Sequence, residues 1–155
     1  MRVMSHLVVG GSAWVLAAGE GLISRDPRVA GLVLVGALLP DIDHPQSWLG
    51  RRLPFLSRPI AAIFGHRGIT HSLLAVALGV WLLAGEAGGV WINALALGYL
   101  SHLAADGLTP QGVPLLWPSH KRFALPVCST GGAMEIVVVV AIAALALWKI
   151  GPDLW

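Results

Sequence analysis

The chain has 155 residues, 56% of them hydrophobic and only 12% charged, with a formal net charge of +2. Ordinary soluble domains carry about 45–50% apolar and about 25% charged residues, so there is too little charge here to cover a small soluble globule. A disordered chain and a basic nucleic-acid-binding domain fit poorly, and with Cys128 as the lone cysteine a disulfide-stapled module does too. What remains is an all-α, polytopic membrane protein: a single membrane-embedded domain over residues 1–155 with about five short transmembrane helices.

The first apolar run covers residues 7–18. Arg2 before it and Ala17-Ala18-Gly19 after it also fit a signal peptide, but His6 at the edge of the run favours a retained first helix. A short polar connection with Glu20, Arg25, Asp26 and Arg28 leads to the second run, residues 29–39, which Pro40 stops. The long segment 40–70 is rich in Pro, Gly and Arg. Within it, residues 47–64 mix Trp48, Phe55 and Ile60 with Arg51, Arg52 and Arg58, as in a segment lying in the membrane interface. Pro54 and Pro59 argue against one unbroken helix there. The third run, 73–84, joins the fourth, 90–105, through a short turn bearing Glu86, and after the long segment 107–132 comes the last run, 136–148. A span needs about 20 residues, so each run reaches that length only with the polar residues at one of its ends.

Threading five helices up and down brings those polar ends to one face. All six histidines lie there, with Asp41, Asp43, Asp106 and Glu135. Seven of the ten basic residues, Arg2, Arg51, Arg52, Arg58, Arg67, Lys121 and Arg122, share that face, against Arg25, Arg28 and Lys149 on the other. The positive-inside rule then puts the N-terminus and this face in the cytoplasm, in the cell (inner) membrane.

Ionisable groups sunk at helix ends in a bilayer are costly and mark function. His102 and Asp106 stand four apart on one helix face. Asp41 and Asp43 repel each other unless a cation lies between them. The two glycines of Gly65-His66-Arg67-Gly68-Ile69-Thr70-His71-Ser72 allow a tight turn, with Thr70 as the expected N-cap of the third helix and His71 in its first turn. His6 and Glu135 close the ring. The candidate metal ligands are therefore His6, Asp41, Asp43, His66, His71, His102, Asp106 and Glu135, more than one tetrahedral zinc needs and suited to two or three ions. His44 is expected to orient a ligating carboxylate, with Thr70 and Ser72 in supporting positions. Lys121 and Arg122 could hold a substrate phosphate or anchor a helix at the headgroups.

Leu39-Pro40-Asp41-Ile42-Asp43-His44, the Gly65–Ser72 stretch, His102-Leu103-Ala104-Ala105-Asp106 with Thr109 and Gly112, and Pro114-Leu115-Leu116-Trp117-Pro118 together resemble the YdjM family. These are small membrane-bound proteins to which metal-dependent hydrolase activity is ascribed. The order of ligands is more distantly similar to zinc-dependent phospholipase C and the P1-type nucleases, which implies a zinc cluster and phosphodiester hydrolysis. His6, Asp41, His66 or His71, His102, Asp106 and Glu135 would follow that order. Two histidines of that pattern are missing: Gly131 stands four residues before Glu135, and His120 lies 14 residues beyond Asp106. Two ions are thus better supplied with ligands than three.

The expected function is hydrolysis of a phosphoester, with a membrane lipid or lipid-linked substrate favoured, by a di- or tri-zinc cluster (Mn²⁺ being the other candidate). Asp41 or Asp43 would act as general base and Arg67 would steady developing negative charge. No nucleic-acid partner is expected. The alternatives are a non-catalytic membrane protein stapled by its metal and an ion or proton transporter. The transporter would need polar groups through the spans, where Ser12 and Asn93 are the obvious ones.

Overall fold

The computed structural model describes residues 1–84 and 89–150; the turn bearing Glu86 lies outside the described residues. Regular structure is helical: α1 (Val3–Gly19), α2 (Pro27–Gly36), α3 (Pro54–Phe64), α4 (Leu73–Leu83), α5 (Gly89–Gly107) and α6 (Ala133–Ile150), with 3₁₀ turns at Leu39–Asp43 and Ile69–His71. Among the described residues there is no β-strand, only an isolated antiparallel bridge between Val113 and Phe123.

Local chemistry sets the boundaries. The Asp26 side chain accepts from the Arg28 amide at 2.8 Å and Pro27 opens α2, a cap and an N-terminal proline together. The helix ends at Gly36, short of the expected residue 39, as the chain tightens into the 3₁₀ turn holding Pro40 and Asp41. Pro54 starts α3 at the first helical position, where its missing N–H costs nothing. Pro59 does not break the helix as expected; it sits on an exposed position inside it. Ser72, not Thr70, caps α4, its hydroxyl accepting from the Ala75 amide at 3.3 Å. Thr70 and His71 form the 3₁₀ turn before it, because the Thr70 hydroxyl is spent on Asp43.

α5 is central and packs on α1, α2 and α4, while α6 packs on α1. α2 and α5 meet backbone to backbone: a Cβ added at Gly98 would lie 1.9 Å from the Val33 carbonyl oxygen, and one at Gly36 would lie 2.3 Å from that of Leu95. Small-residue crossings of this kind hold helices together where lipid offers no hydrophobic drive. α1 and α6 run parallel. Glu135 ties them to Arg2 and Ser5 at one end, and the Glu20–Lys149 pair ties them at the other.

Burial is inverted relative to a soluble protein. Fully buried side chains include His6, Asp43, His71, His102 and Asp106, whereas α4 buries no residue and Trp81 and Leu147 are 73% and 60% exposed. An apolar exterior around a polar core suits hydrocarbon, not water. Among the described residues one helix, α6, is long and apolar enough to cross a bilayer, with 18 residues and a mean hydropathy of 2.2. α2 and α4 have 10 and 11 residues, about 15–17 Å against about 30 Å of bilayer core. Helix length supports one span; the expected five do not follow from it.

Candidate metal centre

α1, α5 and the two 3₁₀ turns bring polar side chains to one place. His102 and Asp106 project from the same face of α5, with Nε2 of His102 3.7 Å from Oδ2 of Asp106. His102 Nδ1 lies 2.7 Å from the Ala37 carbonyl, an oxygen freed by the end of α2. A carbonyl only accepts, so Nδ1 carries the proton and Nε2 keeps its lone pair. His6 of α1 stacks on His102 with ring centroids 3.6 Å apart and planes 7° apart. Asp41, from the first 3₁₀ turn, places Oδ1 3.7 Å from His102 Nε2.

Asp43 organises the second histidine pair. Its Oδ1 lies 2.9 Å from His66 Nδ1 and its Oδ2 lies 3.1 Å from His71 Nδ1. Oδ2 also accepts from the Arg67 amide at 2.9 Å and from the Thr70 hydroxyl. Burial works against the charge, yet the hydrogen bonds from His66, His71 and Thr70 hold this carboxyl well below the usual carboxylate range. The turn that permits this is strained. Arg67 has φ +56°, and a Cβ on Gly68 would lie 2.1 Å from the Phe64 carbonyl oxygen. A non-glycine residue in the left-handed region costs about 1–2 kcal/mol. The side-chain bonds of Arg67 hold it there, with Nη2 2.5 Å from Asp106 Oδ2 and Nη1 within 3.3 Å of Thr109 Oγ1. The Tyr99 hydroxyl locks the following turn by donating to the Thr70 carbonyl at 2.5 Å.

Asp106 is where the groups meet. Oδ1 faces His6 Nε2 at 3.5 Å and the amino group of Met1; Oδ2 faces His71 Nε2 at 3.6 Å, His102 and Arg67. Two triads bring one ligand atom each to within 4.8 Å of one another: His6, Asp41 and His102, and His71, His102 and Asp106. Nδ1 of His6 and Nε2 of both His71 and His102 are buried without a hydrogen-bond partner. Such buried His/Asp clusters can bind a metal ion.

Not every expected residue joins the triads. Asp43 lies behind the histidines as their orienting carboxylate, and His66, 44% exposed, lines the adjoining cavity. Glu135 is turned elsewhere: its carboxylate accepts from Ser5 Oγ at 2.5 Å and from the amides of Arg2 at 2.7 Å and Gly131 at 2.5 Å. His44 packs edge-on against His66, 4.5 Å between centroids, its Nδ1 accepts from the Gln46 amide, and among the described residues it makes no hydrogen bond to a carboxylate. Ser72 serves as the α4 cap and donates to the Ile69 carbonyl at 2.6 Å. Arg122 lines the cavity, but Lys121 does not. Sequence reasoning missed Ala37, whose carbonyl sets the His102 tautomer and which no side-chain pattern reveals. It also missed Tyr99, which stands one helical turn before His102, a spacing that was available as a signal.

The sequence model of a family described as "YdjM inner membrane protein" matches residues 1–153. The inner membrane protein YdjM of Escherichia coli is 45% identical over 127 residues, a match covering 74% of this chain and 63% of that protein's own length. The YvsG protein of Bacillus subtilis is 37% identical over 140 residues, 90% of this chain and 88% of YvsG. The inner membrane protein YbcI of Escherichia coli is 37% identical over 134 residues, 77% of this chain and 72% of YbcI. No solved structure matches.

Proposed function

The chain belongs to the YdjM inner membrane protein family, and we propose that it is a membrane-embedded, metal-dependent hydrolase acting on a lipid-linked phosphoester at the cytoplasmic membrane face. The observation that carries this reading is the set of partnerless buried nitrogens on His6, His71 and His102 beside the carboxylates of Asp41 and Asp106. An unsatisfied buried polar atom costs about 1–3 kcal/mol, and one divalent ion relieves several together. The donors are imidazole and carboxylate, which suit Zn²⁺, with Mn²⁺ next. An imidazole lone pair serves one ion, whereas a carboxylate can bridge two. The two triads share His102, so His71, His102 and Asp106 would hold one ion, and His6 and Asp41 would offer their donors to a second. Such ions supply Lewis acidity toward a phosphoryl oxygen and a water made nucleophilic at neutral pH.

The protein's own groups do the positioning. Asp43 fixes the Nδ1–H tautomers of His66 and His71, which leaves the Nε2 lone pair of His71 facing Asp106 in the buried centre. Asp41, 20% exposed and on the cavity wall, would act as general base through the carboxylate oxygen that is not spent on an ion. Arg67, held on Asp106 at the same wall, faces the charge that develops on the phosphoryl group. In this reading α1, α2, α4, α5 and α6 cross the membrane, the short ones completed by the polar turns at the metal end. The parallel α1 and α6, tied at both ends, support that threading, and the seven basic residues on the metal side support a cytoplasmic placement. A centre at that depth lets acyl chains stay in the bilayer while the ester reaches water.

The test is incubation of the purified protein with phospholipid mixed micelles, with products identified by mass spectrometry. Hydrolysis that chelator abolishes, zinc restores and Asp41→Asn removes would support the proposal. Full metal occupancy with no product from any phospholipid or other phosphodiester would leave the metal as a staple between helices. The transporter reading gains nothing from Ser12, whose hydroxyl donates to its own helix at the Val8 carbonyl, 2.8 Å away.

A further inference from the structure

Three arginines outside the ligand set share the cavity beside it. Arg2 precedes α1, Arg51 precedes α3 and Arg122 lies between α5 and α6; all are exposed, and all line the same cavity of about 800 Å³ as Asp41 and Asp106. That volume is within the range of small-molecule sites, about 300–1,000 Å³. Arg2 donates to the Gly131 carbonyl and Arg122 to the Gln111 carbonyl, each at 3.3 Å. Among the described residues, the arginine and lysine side chains paired with carboxylates are Arg67 and Lys149, and none of these three is. A carbonyl orients a guanidinium without neutralising it. Three unneutralised forks, drawn from distant parts of the sequence, therefore face one hollow. The rim beside them is apolar: Met4 of α1 and Ile136 of α6 are 66% and 62% exposed and line the same cavity.

We infer that the cavity takes a lipid bearing a second anionic group next to its phosphoester, gripped by Arg2, Arg51 and Arg122, with its acyl chains leaving past Met4 and Ile136. The inference rests on the hydrolase reading for which phosphoester is cleaved; the grip itself needs no cleavage. A single phosphodiester carries one negative charge, and Arg67 already stands at the reacting end. A zwitterionic headgroup would set its ammonium against three guanidiniums, which is repulsive. A second phosphate instead meets donors whose planar forks match its oxygens.

The experiment is equilibrium binding of cardiolipin, phosphatidylglycerol and phosphatidylethanolamine to the purified protein in non-ionic detergent. Variants are Arg51→Gln, Arg122→Gln and, as a control on the same face but outside the cavity, Arg58→Gln. Inorganic pyrophosphate is the soluble competitor. Expected is the order cardiolipin, then phosphatidylglycerol, then phosphatidylethanolamine. Each cavity variant should weaken cardiolipin about fivefold, which is about 1 kcal/mol, and Arg58→Gln should leave it unchanged. Equal binding of cardiolipin and phosphatidylethanolamine, or an Arg58→Gln effect as large as that of the cavity variants, would overturn the inference. Pyrophosphate binding as tightly as cardiolipin would overturn its lipid part and leave a soluble polyanion as the ligand. Product analysis on the same samples separates the two claims. Cardiolipin preference without hydrolysis strikes the hydrolase reading and leaves the grip, while hydrolysis without that preference strikes the grip alone.

Discussion

Replacing Asp43 by Asn should weaken metal binding without removing an ion. The wild-type carboxylate is fully buried and meets His66 on one oxygen and His71, Thr70 and the Arg67 amide on the other. Asn supplies one acceptor oxygen and one NH₂ group. The cheaper orientation keeps its oxygen toward His71, Thr70 and Arg67 and turns the NH₂ toward His66, which at 44% exposure can change tautomer or lean into water. His71 then keeps a hydrogen bond but loses the carboxylate that raises its basicity. Losing such an orienting partner typically costs 10- to 100-fold in metal affinity, or about 1.4–2.8 kcal/mol. Folding should lose about 1–3 kcal/mol as a charge-assisted bond is exchanged for a neutral one. Chelator competition gives the affinity, and elemental analysis at saturation gives the count. Loss of one ion per chain at saturation would make Asp43 a ligand, and an unchanged affinity would deny it the orienting role; either refutes this reasoning.

The Glu135→Gln variant should bind as much metal as wild type yet unfold more easily, by about 2–4 kcal/mol, since its buried acceptor serves three donors; elemental analysis and thermal melts in detergent read both. Gly98→Ala should destabilise by about 2–4 kcal/mol, because its Cβ would fall 1.9 Å from a backbone oxygen of α2. Gly31→Ala, with nothing within 4 Å of the new Cβ, should be neutral or stabilise by up to about 1 kcal/mol, and the same melts compare the two. Burial and the neighbouring Glu135 carboxylate push the Cys128 thiol up, so a maleimide at neutral pH should label it only after unfolding; labelling of the native protein at the rate of a free thiol would contradict its placement.

Much of the centre was legible because its chemistry sits at helix ends. His102 and Asp106 announce a shared face by their spacing, and Pro40 stops an apolar run beside Asp41, so convergence with His6 and His71 follows from threading alone. Roles were harder to read than membership. Asp43 and Asp41 differ by two positions in one turn, and only the hydrogen bonds from His66, the Arg67 amide, Thr70 and His71 show that the Gly65–Ser72 stretch folds over Asp43. Glu135 looked like a ligand because it opens an apolar run; its partners are the Ser5 hydroxyl and the backbone amides of Arg2 and Gly131, and no pattern of side chains encodes the amides. Lys121 and Arg122 are neighbours in sequence, yet only the second of the two lines the cavity. The apolar runs located five of the helices, and the segment expected in the interface holds α3. Their lengths as spans were not fixed by hydropathy, because α2 and α4 give way to 3₁₀ turns built around the polar site.

The claim at the centre of this reading is that the buried histidines and aspartates hold divalent metal. The most direct measurement is the metal-to-protein ratio by mass spectrometry on protein purified without chelator or affinity metal, for wild type and His102→Ala, with matched helical content by circular dichroism. Two zinc-class ions per wild-type chain, lost or halved in His102→Ala, is the expected result. Wild-type protein that holds no metal, even after reconstitution with zinc or manganese, would contradict it.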